Sequence, residues 1–217
     1  MKTRAYRHLY GPVPSRRLGR SLGVDLIPFK ICTYDCVYCQ LGRTTRKTME
    51  RETYSAAGEV LAELENRLKE PDRPDYITLA GSGEPTLNAD IGAVVSGIKQ
   101  MTDIPVAVIT NGSLLWMDEV RSALEPADLM MPSLDAGDEF LFKYVNRPCD
   151  GISFDQMANG LGAFTRSFTK RSGTGKVKNG KDDSGIGCHQ RQGRHGQDQC
   201  DRVFRRAGRG PRGAGRL

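Results

Sequence analysis

An α/β fold with a parallel sheet is what this 217-residue sequence predicts, and two observations carry that expectation. From about residue 20, short apolar runs alternate with segments whose apolar residues recur at helical period, which is the grammar of βα units. Each apolar run is followed directly by a small polar motif, and in parallel α/β folds the carboxyl ends of the strands are where sites are built.

The elements follow in order. Residues 23–27 (GVDLI) are the first expected strand. Ser55 can cap a helix whose apolar face is Val60, Leu61, Leu64 and Leu68. Residues 76–80 are the second strand, and Ile91, Val94, Val95 and Ile98 then fall at i, i+3, i+4 and i+7, one buried helical stripe. Residues 106–110, rich in β-branched side chains, are the third strand, and Met117, Val120 and Leu124 mark the third helix. Residues 129–134 are the fourth strand, after which Ser153 and Gln156 form a capping box opening a helix with Met157, Leu161 and Phe164. Four βα units are expected.

Length allows one domain of ordinary size. The formal charge of +6 is uneven, because residues 171–217 hold 12 basic and 4 acidic side chains while the rest is near neutral at −2. Beyond about Lys170 the βα grammar stops: 11 of the last 47 residues are glycine and 9 are arginine, a segment too poor in apolar residues to offset its ordering entropy. The expected division is a basic amino-terminal arm over 1–20, a partial barrel over 21–170 and a disordered tail over 171–217. The change of composition is what an out-of-frame reading of a GC-rich gene would produce; the rival is a basic tail that folds on RNA. No apolar run reaches the roughly 18 to 20 residues of a membrane-spanning helix, and the first ten residues lack the apolar stretch of a signal peptide. A cytoplasmic protein with no membrane partner is expected.

Cys32, Cys36 and Cys39 form C-x3-C-x2-C in a loop after the first strand, where three thiolates can converge. Structural zinc prefers four protein ligands, so zinc would need a distant residue such as Cys149. A [4Fe-4S] cluster on three thiolates instead keeps one iron open, which suits chemistry better than simple electron transfer.

The segment CTYDCVYC resembles the signature of the radical S-adenosylmethionine superfamily, aromatic Tyr38 included. The wider stretch from Gly11 to Thr44, with GSGEPTLN, ITNGSLL, PSLDAGDEF and VNRPCDGISF, resembles its iron-sulfur oxidoreductase group related to wyosine-type tRNA synthetases, over about residues 10–170. The resemblance implies a (β/α) barrel of which about four of six units are present. It implies as cofactors a [4Fe-4S] cluster on Cys32, Cys36 and Cys39 and S-adenosyl-L-methionine, a low-potential electron donor, and a 5′-deoxyadenosyl radical that abstracts hydrogen from a substrate, with tRNA as the suggested partner. An unfinished barrel implies weak cluster binding and little turnover.

The resemblance also assigns roles to site residues, each beside a plainer reading. Tyr38 would lie near the adenine, or is a packing tyrosine. Gly81 and Gly83 would let the backbone approach the cofactor and Glu84 would receive its ammonium group, or the three form a glycine-rich turn. Ser133 and Asp135 would touch the ribose or methionyl part, or end a strand in a turn. Asn111 orients the cofactor or forms an Asx turn. No catalytic residue is assigned. In the arm, Lys2, Arg4, Arg7, Arg16, Arg17 and Arg20 either meet an RNA backbone or pair with an acidic helix carrying Glu59, Glu63 and Glu65. The rival functions are a metal-binding module holding zinc and an RNA-binding protein with a structural cluster.

Overall fold

The computed structural model of the chain describes residues 6–168. The tail expected over 171–217 lies outside the described residues. Five strands make one sheet: β1 (Leu9–Ser15), β2 (Gly19–Val24), β5 (Tyr76–Leu79), β6 (Val106–Thr110) and β7 (Leu129–Pro132), side by side in that order. The pairs β2–β5, β5–β6 and β6–β7 are parallel and β1–β2 is antiparallel. A second ladder joins β3 (Ile31–Cys32) to β4 (Arg46–Lys47). This is the mixed α/β architecture with a parallel sheet that the alternation of apolar runs predicts, and it holds the part of a barrel that the resemblance implies.

The inner strands read as nearly continuous apolar runs because both of their faces are covered. Leu22, Val24, Ile77, Leu79, Val106 and Val108 are all buried in one core, with the apolar stripes of α1 (Ala57–Leu68), α2 (Ile91–Met101), α3 (Asp118–Leu124) and α5 (Phe154–Phe168). The stripe Ile91, Val94, Val95 and Ile98 is wholly buried, as its spacing requires. Among the described residues no helix is long and apolar enough to cross a membrane.

Four expectations are corrected. The strand expected at 23–27 is β2, Gly19–Val24: the chain turns at Asp25, whose carboxylate accepts from Ile27 N at 3.2 Å, so Leu26 and Ile27 are buried as loop. Ser55 is not the cap of α1; Ala56 holds that position, and Asp90, 33 residues on, accepts from Ala57 N at 3.1 Å. The capping box is half formed, since Ser153 Oγ accepts from Gln156 N at 3.2 Å while Glu139 accepts from Phe154 N at 2.7 Å. The fourth strand ends at Pro132.

Strand β1 and helix α4 (Glu139–Val145) were not expected. β1 contains Gly11, Pro12 and Pro14, which read as loop, yet an edge strand tolerates proline because one side of its ladder is free. Of the two readings of the arm, pairing with the acidic helix holds at Arg7 and His8. Glu63 accepts from both backbone amides and Glu59 lies 3.8 Å from the Arg7 guanidinium. Arg16 and Arg17, on the β1–β2 turn, are exposed.

Candidate functional site

The cysteine loop leaves β3 and is laid against the segment that follows α4. Asp35 N donates to Asn146 O at 3.0 Å, Val37 N to Val145 O at 2.9 Å, and Cys149 N to Thr33 O at 2.8 Å. The Asp35 carboxylate folds the loop back on itself by accepting from Thr44 N at 2.8 Å, and Cys39 N closes a turn on Cys36 O at 3.1 Å. The Thr44 amide and the nearby arginines hold the Asp35 carboxyl below its ordinary value.

Cys32, Cys36 and Cys39 are free thiols, each half-buried. Each sulfur accepts from a different side-chain nitrogen: Cys32 Sγ from Asn111 Nδ2 at 3.6 Å, Cys36 Sγ from Asn146 Nδ2 at 3.5 Å, and Cys39 Sγ from Lys30 Nζ at 3.2 Å. Burial pushes the Cys32 thiol up to about 12, with the charge of Glu84 adding to it, and burial raises Cys36 as well. Deprotonating them calls for a cation at the sulfurs, as a bound metal provides. Among the described residues no group of three His, Cys, Asp or Glu side chains lies close enough to hold one ion. One zinc needs all its sulfurs about 2.3 Å from a single point. A cubane offers each thiolate a different iron, and three free thiols on one loop, each with its own nitrogen donor, are a donor set of the kind that group takes.

The loop after β5 forms the floor under the cysteines. Lys30 N donates to Ser82 O at 2.8 Å and Glu84 N to Ile31 O at 3.2 Å, so the glycine-rich turn is bonded to the strand that carries Cys32. A Cβ on Gly83 would stand 1.9 Å from Ile31 O, and one on Gly81 would meet the Asp25 carboxylate at 2.2 Å. These glycines therefore admit other parts of the same chain. Glu84 is likewise turned inward, only 2% exposed. It accepts from Thr86 N at 3.2 Å, Thr86 Oγ1 at 2.6 Å, Thr110 Oγ1 at 2.6 Å and Asn111 N at 2.8 Å, tying the ends of β5 and β6 together. Burial raises its carboxyl, against the pull of those four donors.

Asn111 both makes the Asx turn and reaches the site: its Oδ1 accepts from Ser113 N at 2.9 Å and its Nδ2 donates to Thr33 Oγ1 at 2.7 Å as well as to Cys32. Ser133, half-buried after β7, donates its backbone amide to Thr110 O at 2.9 Å. Asp135 accepts from the Tyr38 hydroxyl and, at 3.0 Å, from Asn146 Nδ2. Burial raises the Tyr38 phenol, followed by the charges of Cys36 and Asp135, so it stays a donor at neutral pH while its ring is partly exposed. The structure thus joins Tyr38, Asp135 and Cys36 through Asn146, and Cys32 and Glu84 through Asn111. Lys30, Thr33 and Asn146 were missed; the VNRPC motif contains Asn146, but its partners lie 11 and 110 residues away.

The sequence profile of the Radical SAM superfamily matches residues 26–176, which include all three cysteines and every other expected site residue. The chain belongs to the Radical SAM superfamily. It is 50% identical over 162 residues to a protein named GTPase Obg of Brachyspira hyodysenteriae, covering 75% of this chain and 24% of that one. It is 40% identical over 161 residues to a UPF0026 protein of Methanocaldococcus jannaschii, covering 73% of this chain and 50% of its relative. The chain therefore spans half or less of the length of these two relatives. Among solved structures, archaeal TYW1 matches with a TM-score of 0.44 and 18% identity over 68% of this chain and 52% of that chain.

Proposed function

We propose that this radical SAM chain holds a [4Fe-4S] cluster on Cys32, Cys36 and Cys39 and binds S-adenosyl-L-methionine beside it. The observation that carries this reading is the arrangement of the three free thiols, each with its own nitrogen donor and no two sharing one. The bound group supplies one-electron reductive cleavage of S-adenosyl-L-methionine, giving methionine and a 5′-deoxyadenosyl radical that abstracts hydrogen from substrate, with the electron drawn from a low-potential donor.

The chain's own residues then divide the work. Tyr38 presents a partly exposed ring to the adenine, its hydroxyl fixed by Asp135. Ser133 and Asp135 border the ribose and methionyl part from the end of β7. Gly81, Gly83 and Glu84 act from beneath: the glycines let the turn press against the strand of Cys32, and Glu84 fixes the amide of Asn111. Glu84 is a positioning residue in this reading, because it is buried and its carboxylate accepts from four donors of the chain, three on Oε1 and one on Oε2. The cytoplasm is the expected compartment, and tRNA is the substrate to try first by the family resemblance; Arg43 stands exposed in the cysteine loop, whereas Arg16 and Arg17 lie at the far end of β2 from the site.

Reduced, cluster-loaded protein mixed with S-adenosyl-L-methionine should release 5′-deoxyadenosine and methionine in equal amounts, measured by liquid chromatography after anaerobic quenching. Loaded protein that binds S-adenosyl-L-methionine and leaves it intact under reduction would overturn the reading.

A further inference from the structure

We propose that Lys30, together with Asn111 and Asn146, forms a ring of one nitrogen donor per cysteine that raises the reduction potential of the bound cluster, with Lys30 contributing most. The inference rests on the cluster reading given above and adds a role for three side chains that the ligand motif does not contain.

Lys30 is only 3% exposed, and a buried ammonium demands an anionic partner. Among the described residues it makes no ion pair with a carboxylate, and its one side-chain hydrogen bond goes to Cys39 Sγ at 3.2 Å. A cysteine that ligates iron is a thiolate, so the partner that Lys30 lacks elsewhere is the ligand itself. The backbone shows the same commitment. Lys30 holds φ at +63°, a left-handed conformation that is strained for a residue with a side chain and persists only where its surroundings fix it. Here they do: its amide donates to Ser82 O, and its carbonyl accepts from Thr45 N at 3.0 Å and Arg46 N at 3.2 Å.

The two asparagines are held as firmly. Asn146 is 2% exposed; its carbonyl accepts from Asp35 N inside the cysteine loop. An amide nitrogen carries two hydrogens, so Asn146 serves Asp135 and Cys36 together, and Asn111 serves Thr33 and Cys32. Reduction adds one electron from the low-potential donor and neither forms nor breaks a bond. The added negative charge is shared by the sulfurs, so donors aimed at them favour the reduced form, and a full positive charge favours it more than an amide dipole.

The test is the midpoint potential of the reconstituted full chain, followed by electron paramagnetic resonance during an anaerobic redox titration. Lys30→Met should lower the reduced-to-oxidised ratio at fixed potential about tenfold, or about 59 mV for a one-electron couple. Asn146→Leu should shift it the same way by less, and Lys30→Arg should restore it. Unchanged iron and sulfide content with an unmoved potential in Lys30→Met overturns the proposal. If Lys30→Met takes up no cluster, Lys30→Gln is compared with Lys30→Arg: a lower potential in the first supports the role of charge, and equal potentials overturn it. A wild-type chain that takes up no cluster overturns the underlying reading instead.

Discussion

Glu84 shows what burial does to a charged residue whose position in the sequence suggests ligand contact. The family resemblance assigned it the cofactor's ammonium group, beside the plainer reading of a glycine-rich turn. The three residues that enclose it, Thr86, Thr110 and Asn111, include two that arrive 26 and 27 positions later, so its burial is invisible locally. Glu84→Ala leaves several buried donors without an acceptor and should cost about 3 kcal/mol or more of stability. Denaturant unfolding of the metal-free chain measures this, and Glu84→Gln, which keeps one acceptor, should lose less. An Ala variant as stable as wild type would return Glu84 to the role of a free cofactor contact. The cysteines, by contrast, were legible because their spacing alone brings three thiols to one loop, while the nitrogens of Lys30 and Asn146 that face them depend on tertiary contacts.

Elements were legible where their pattern is periodic. β6 falls where its β-branched run predicts, and the stripe of α2 is buried residue for residue. β1 was hidden by its glycine and prolines, and β2 was displaced because Arg20 and Ser21 disguise its start while the apolar Leu26 and Ile27 belong to a loop. Helix α4 is short, but it carries the cysteine loop's docking segment at its end and the acidic group that opens α5 at its start. The Phe154 amide, with Lys143 assisting, holds the Glu139 carboxyl below its ordinary value near 4.5. A carboxyl lowered in the folded state adds stability above its unfolded value and loses it as pH falls through the folded one. Stability measured by urea midpoint should therefore drop across that acid window in wild type, and Glu139→Gln should flatten this part of the profile. A wild-type profile matched by Glu139→Gln at every pH would remove Glu139 from the account of how α5 begins.

At the scale of the molecule, the fold gathers its site where strands end. The loops after β2, β5, β6 and β7 supply Lys30 and the cysteines, Gly81 to Glu84, Asn111, and Ser133 with Asp135. Among the described residues β7 is an edge of the sheet. Metal analysis after anaerobic reconstitution tests most directly whether these loops hold a cluster. The wild-type chain should take up about four irons and four sulfides with a broad absorption near 400 nm, and Cys36→Ala should lose them. One zinc and no iron in the wild type, or a full complement of iron and sulfide with an unchanged spectrum in Cys36→Ala, would contradict it.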